Sequence, residues 1–423
     1  MLNKNSNIMK SKLFFLALSA MALATSCSND EVTELSDSNA IKYDLGIGKI
    51  TRASNVYCNA NKFTSFKVWA NYTATGGTAT PYIAGDNITF TNNAWTDASG
   101  TRYWPNEGTL DFYALAGYDN PTLATGNTVS WSVDGTVAAQ KDLCYAVKKG
   151  QSKSTNTTVA LNFRHALSQI VFKAQNKNAK LYVEIEEVGV CNVNSGATFT
   201  LPDANTDNNI TDHSSTTTPT IANQGSWTSY TGAAKYTTGV FNSTVTGNSV
   251  VVNLTDNTNT ATDHTGINDY GKAMLLLPSE SKTTPWNGKK QLTINAGTYT
   301  PAVADGTLIL VKCKIWNVAG DSKTDTDVQL YGNEDGSAKW AAIPAAFDWK
   351  QGKKYIYTLV FDKGNGGIDP DPDDPKPVLV KIDYTVQIDD FVKGENYDID
   401  MDEKGNQTTT PTTGNSEDGG SDE

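Results

Sequence analysis

An all-β fold built of packed sandwiches is what this sequence predicts, and three features carry that expectation. Thr, Asn, Gly and Ser dominate its texture, with short runs of alternating apolar residues between Gly/Asn/Asp turn clusters. No long stretch keeps a helical period. Near each end lies a segment of strict two-residue alternation, the pattern of a strand with one buried face. Strands at this spacing point to sandwiches rather than to parallel α/β sheets.

The elements follow in chain order. Lys4, Lys10 and Lys12 precede an apolar run from Leu13 to Ala24, which leads into Ala24-Thr25-Ser26-Cys27. A charged start, a short apolar stretch and small residues describe a secretory signal over residues 1–26. The run is shorter than the ~20 apolar residues that span a bilayer. Small residues directly before a cysteine resemble a bacterial lipobox, so Cys27 is expected to carry lipid and to anchor the precursor in the outer membrane. The alternative is an ordinary cleavage site with Cys27 as a bystander. Met9 is a second candidate start, because Met9-Lys10-Ser11-Lys12 opens a more compact signal.

Residues 27–52 read as a propeptide, in which Ile41, Tyr43, Leu45 and Ile47 are apolar at a period of two. Strands are then expected at Phe63–Ala70, Thr109–Leu115, Thr158–Phe163, Gln169–Ala174, Leu181–Val190, Ser249–Leu254, Ala273–Leu277, Thr307–Trp316 and Lys354–Phe361. One helical turn is expected over Arg164–Gln169. The length suits two domains, 53–178 and 179–363, divided at the polar stretch Asn176–Lys180. Gly364–Pro377 reads as an extended, exposed linker, because its prolines are stiff and its aspartates repel one another.

Beyond the linker, Val378, Val380, Ile382, Tyr384, Val386 and Ile388 alternate with polar residues in a candidate detachable strand spanning 378–400. Residues 401–423 form an acidic tail with no core to join. An isolated strand is not stable, so this one must add to a sheet. Either it completes the protein's own sheet, or it replaces the N-terminal strand of another copy. Arg52, followed by Ala53, lies in a Gly-flanked stretch, whereas Arg102 and Arg164 lie in segments that read as core. An Arg-specific protease would therefore cut after Arg52 and free the strand of Ile41, Tyr43, Leu45 and Ile47. Strand addition by Val378–Ile388 would then run head to tail and grow a filament. Deleting residues 378–423 is expected to leave a folded protein that cannot extend such a chain.

Composition excludes several functions. The formal charge is −12, and −15 once residues 1–26 and their three lysines are removed, which gives no basis for nucleic-acid binding. Cys58, Cys144, Cys191 and Cys313 show no metal or redox spacing, and both disulfides and buried free thiols fit them. His165, His213 and His264 are scattered, and His165 reads as a hydrogen-bonded packing residue. Gly266–Lys272 has phosphate-loop spacing, but Ala273 stands where Ser or Thr would hold magnesium, and a strand-like run follows. Asp398, Asp400 and Asp402 begin like a calcium loop, but Glu403 and Thr409 occupy its glycine and closing-glutamate positions. No cofactor, metal or catalytic residue is expected, and the protein is not read as an enzyme.

A set of ordered motifs resembles the fimbrillin-like pilins of type V pili. They are Thr51-Arg52-Ala53, Trp95, Tyr103-Trp104-Pro105, Leu110-Asp111-Phe112-Tyr113-Ala114, Lys141-Asp142-Leu143 and Leu161-Asn162-Phe163-Arg164-His165-Ala166-Leu167. Leu275-Leu276-Leu277-Pro278 and Trp349-Lys350-Gln351-Gly352-Lys353-Lys354-Tyr355 continue the series, so the resemblance covers nearly the whole exported chain. It implies two tandem transthyretin-like, Greek-key sandwiches, lipidation at Cys27, maturation at Arg52 and donor-strand polymerisation. The implied partners are other copies of the chain, other pilin subunits and an Arg-specific protease, and the implied setting is a cell-surface fimbrium. The acidic tail departs from that mechanism, which does not require it. A monomeric surface lipoprotein that binds glycan or a host protein is the alternative, since nine tryptophans and eighteen tyrosines offer stacking surfaces.

Overall fold

The computed structural model describes residues 39–45, 64–91, 94–118, 120–154, 158–206, 224–247, 252–254, 273–292, 305–320, 322–372, 375–390, 399–401 and 407–409. Cys27, Ile47, Arg52, Ala53, Cys58, His213, His264 and Gly266–Lys272 lie outside the described residues. So do the side chains of residues 389–423.

The first strands are β1 (Lys42–Leu45), β2 (Ser65–Thr73), β3 (Thr80–Thr91), β4 (Ala94–Asp97), β5 (Thr109–Ala116), β6 (Thr128–Ser132), β7 (Cys144–Gln151), β8 (Thr158–Leu161) and β9 (Arg164–His165). Six of them form an antiparallel sheet in the order β4-β3-β2-β5-β7-β9. The near-continuous apolar run of β5 is explained by a sheet covered on both faces. Leu110, Phe112 and Ala114 point into one core with Phe66 and Trp104, while Tyr113 and Leu115 point into another with Phe199. The expected helical turn at Arg164–Gln169 is instead two strand ends joined at Ala166-Leu167. Arg164 and His165 pair with Tyr145 and Cys144, because the Leu167, Ile170 and Phe172 side chains are needed in two cores at once.

The chain continues through β10 (Ser168–Asn176), β11 (Leu181–Val193), β12 (Gly196–Thr200), β13 (Ser226–Thr231), β14 (Ala234–Thr237), β15 (Ser243–Val245), β16 (Val252–Asn253) and β17 (Met274–Leu276). It goes on through β18 (Leu308–Asn317), β19 (Val328–Tyr331), β20 (Lys339–Pro344), β21 (Lys353–Asp362), β22 (Ile368–Asp369), β23 (Lys376–Pro377) and β24 (Lys381–Asp390), and the expected tail carries one short antiparallel pair, β25 (Ile399–Met401) with β26 (Gln407–Thr409). One sheet runs β16-β10-β21-β24, and the sheet facing it runs β14-β11-β18-β20-β22-β23. Ile309, Val311, Cys313 and Ile315 line the core between them from β18. On β11 the inward positions step from Leu181, Val183 and Ile185 to Val188 and Val190. A bulge at Ile185/Glu187 absorbs the extra residue and keeps both apolar sets inside.

Asn176–Lys180 turns the chain from one of these sheets to the other, since β10 and β11 both serve the same core. The β6-β12-β13 sheet closes the second face of the first sheet, and Leu276 and Leu277 enter adjacent cores. Gly352 adopts a φ of +69° in the turn before β21, where its N–H donates to Leu167 O at 2.8 Å. Glycine tolerates that conformation, and this gives the Trp349–Tyr355 motif a physical reason.

Gly364–Pro377 differs from the expected free linker. Ile368 pairs with Ala342 and Pro377, Lys339 bonds to Asp369 at 2.7 Å, and Leu292 N donates to Pro370 O. The aspartates that were expected to repel one another are partly neutralised by Lys339, which also lies 3.7 Å from Asp371.

Candidate functional site

The two terminal strands each occupy a site built by other parts of the chain. At the amino end, Trp104 N donates to Asn39 O at 3.0 Å and Ile41 N donates to Arg102 O at 2.8 Å. The next four residues pair in parallel with β8, Lys42 opposite Thr158 and Leu45 opposite Leu161. Alternation sends Ile41 and Tyr43 inward, where both are buried, and leaves Lys42 and Asp44 exposed. Leu45 packs against the same core. The Tyr43 ring meets Phe66 edge-on at 5.9 Å and Phe112 at 6.3 Å.

Charge gathers around the Tyr43 hydroxyl. Arg102 Nε bonds to Asp86 at 2.5 Å and lies 4.0 Å from Asp97. Burial pushes the Tyr43 phenol well above its ordinary range, and Asp97 and Asp86 push it further. Burial also raises the Asp97 carboxyl, against the opposing effect of the Ser99 N–H that donates to it. The Tyr43 hydroxyl is buried and meets no hydrogen-bonding atom among the described residues. Tyr43→Phe removes that unpaired group, and a gain of about 1 kcal/mol in stability is expected. Thermal unfolding of the precursor should show a melting point a few degrees higher. A lower one would mean that the hydroxyl contributes a favourable contact.

At the carboxyl end, β24 pairs antiparallel with β21 along its full length, Ile382 opposite Phe361 and Ile388 opposite Tyr355. Val378, Val380 and Ile382 are each 2% exposed, while Tyr384, Val386 and Ile388 pack half-buried on the same core. Tyr384 lies 5.8 Å from Tyr357. The chain's own C-terminal strand therefore completes its own sheet.

Among the described residues, one group of His, Cys and acidic side chains brings its ligand atoms within 4.8 Å of one another: Asp142, Cys144 and His165. His165 Nδ1 lies 2.5 Å from Asp142 Oδ2, and the Cys144 thiol donates to the same oxygen at 3.5 Å. Burial and the adjacent carboxylate push the Cys144 thiol well up, so it remains a neutral S–H rather than a nucleophile. The group acts as a polar knot between β7 and β9. Sequence reading placed His165 among packing residues but missed its two partners, because nothing local in Lys141-Asp142-Leu143 signals them.

Fold and site together define an all-β protein whose terminal strands are integral to its cores. Residues 51–390 match the family model described as fimbrillin-like, and the chain belongs to that family. It is similar to a solved fimbrial protein from Bacteroides vulgatus, at 15% identity over 82% of this chain and 99% of that one, with a TM-score of 0.47. A "putative cell adhesion protein" from Bacteroides uniformis is similar at 16% identity, with coverage of 82% and 96% and a TM-score of 0.37. One of the same description from Parabacteroides distasonis shows 11% identity, coverage of 84% and 99%, and a TM-score of 0.40. No curated protein sequence matches the chain.

Proposed function

We propose that the chain is a structural shaft subunit of a surface fimbrium that supports cell adhesion. In this reading it is exported to the outer membrane as a lipoprotein on Cys27, cut after Arg52, and polymerised by donor-strand exchange. The role is mechanical rather than catalytic. One observation carries the reading: β1 is a plug in the first core, held by one short parallel pairing, a few backbone bonds and the Ile41 and Tyr43 side chains. Such a plug is separable once the chain behind it is cut. Arg102 is engaged with Asp86 and Arg164 pairs within the sheet, which favours Arg52 as the cleavage point. The departing strand leaves a slot shaped for an alternating apolar strand, and β24 is such a strand.

A self-contained surface lipoprotein that binds glycan or a host protein is the second reading. It is favoured by the completion of the chain's own sheet by β24. Limited trypsin treatment of protein lacking residues 1–27, followed by intact mass and electron microscopy, separates the two. One early cut at Arg52 followed by ladders or filaments supports the subunit. The same cut yielding only stable monomers supports the second reading.

A further inference from the structure

The two terminal strands share more than a period. Ile41-x-Tyr43-x-Leu45 and Ile382-x-Tyr384-x-Val386 run in the same order and the same chain direction, and in sequence the match continues to Ile47 and Ile388. We propose that β24 of a second copy fills the β1 site in one register, with Val380, Ile382, Tyr384 and Val386 at the places of Asn39, Ile41, Tyr43 and Leu45. This inference rests on the strand-exchange reading above, in which β24 leaves its place beside β21 of its own chain, and adds the alignment that reading leaves open.

Three features fix the register. The Tyr43 place is lined by the edges of Phe66 and Phe112 and is filled by an aromatic ring. Of the six apolar residues in the alternating strand, only Tyr384 is aromatic. A shift of two residues in either direction puts Ile382 or Val386 there instead and opens a cavity. The outward places of Lys42 and Asp44 are exposed, and Asp383 and Thr385 suit them. Asn39 is the third feature: its side-chain oxygen is buried with no hydrogen-bond partner among the described residues. Val380 brings no such atom, while the bond from Trp104 N needs only a backbone carbonyl. The incoming strand thus improves on the outgoing one at this place. One place works against it, because Ala40 is covered and Lys381 must carry its amine outward along the sheet edge.

The register has a direct test in the cleaved chain of residues 28–423. Asp44 stands opposite Ala160, so Thr385 of the incoming strand should do the same. Ala160 and Thr385 are both exposed, so cysteines there leave the cores intact. Ala160→Cys with Thr385→Cys should give an intermolecular disulfide ladder under mild oxidation. Ala160→Cys with Asp383→Cys or Gln387→Cys should not, and single substitutions control for Cys58. A ladder from either of those two pairs overturns the register but leaves strand exchange standing. Fibres that form with no ladder from any pair overturn both, as does cleaved wild-type protein that forms no fibre. Asn39→Val supplies a second measurement. It relieves the outgoing strand of its unpaired amide and should slow fibre growth roughly tenfold. Unchanged or faster growth overturns the role given to Asn39 in the alignment.

Discussion

The Arg52→Ala precursor should fold, resist cleavage by an Arg-specific protease and form no filaments. While β1 stays covalently joined to the body, it competes for its slot at the millimolar effective concentration typical of a short tether, roughly a thousandfold above a micromolar donor. An incoming strand must also displace the buried Ile41 and Tyr43 together with their backbone bonds. Cleavage removes the tether without touching any of those contacts, so the cut and the exchange are separate steps. Size-exclusion chromatography and electron microscopy of the variant, with and without an Arg-specific protease, read the outcome. Filaments from the uncut variant would defeat the maturation step while leaving the fold unaffected.

Deleting residues 378–423 should sharply destabilise the isolated chain, and this reverses the expectation drawn from sequence. Val378, Val380 and Ile382 are nearly fully buried, and each such side chain contributes about 1.5–3 kcal/mol, so roughly 5–9 kcal/mol together. A domain's whole stability is about 5–15 kcal/mol. The loss also strips the ladder partner from β21 and uncovers Tyr355, Tyr357, Leu359 and Phe361. A much lower melting point or aggregation on expression is expected, with recovery when a peptide of residues 376–390 is supplied. A truncated protein as stable as the full chain would show that β24 adds little to the fold.

The parts of this fold that alternation encodes were legible. Leu308–Asn317 and Lys353–Asp362 lie almost where the apolar periods of Thr307–Trp316 and Lys354–Phe361 put them. Long-range arrangement was not legible. Nothing near Ile41 or Tyr43 tells that their strand lies parallel to Thr158–Leu161, because a strand pattern names a buried face and not a neighbour. The trio of Asp86, Asp97 and Arg102 was hidden for the same reason, since its members come from β3, β4 and the loop before β5. Gly364–Pro377 misled because its composition favours extension, whereas Lys339 and the Ala342 edge, both distant in sequence, hold it down. Asn176–Lys180 looked polar enough to separate domains, yet Asn176 Nδ2 donates to Leu181 O at 2.7 Å and closes a tight corner within one core.

Cys144, Cys191 and Cys313 are unbonded and buried, and burial lifts the Cys191 thiol to about 12. Thiols in that state are poor substrates for oxidants, and no covalent bridge joins them across the sheets. The cohesion of these cores is therefore indifferent to redox potential. Reductants that dismantle disulfide-stapled exported proteins therefore leave the described cores untouched.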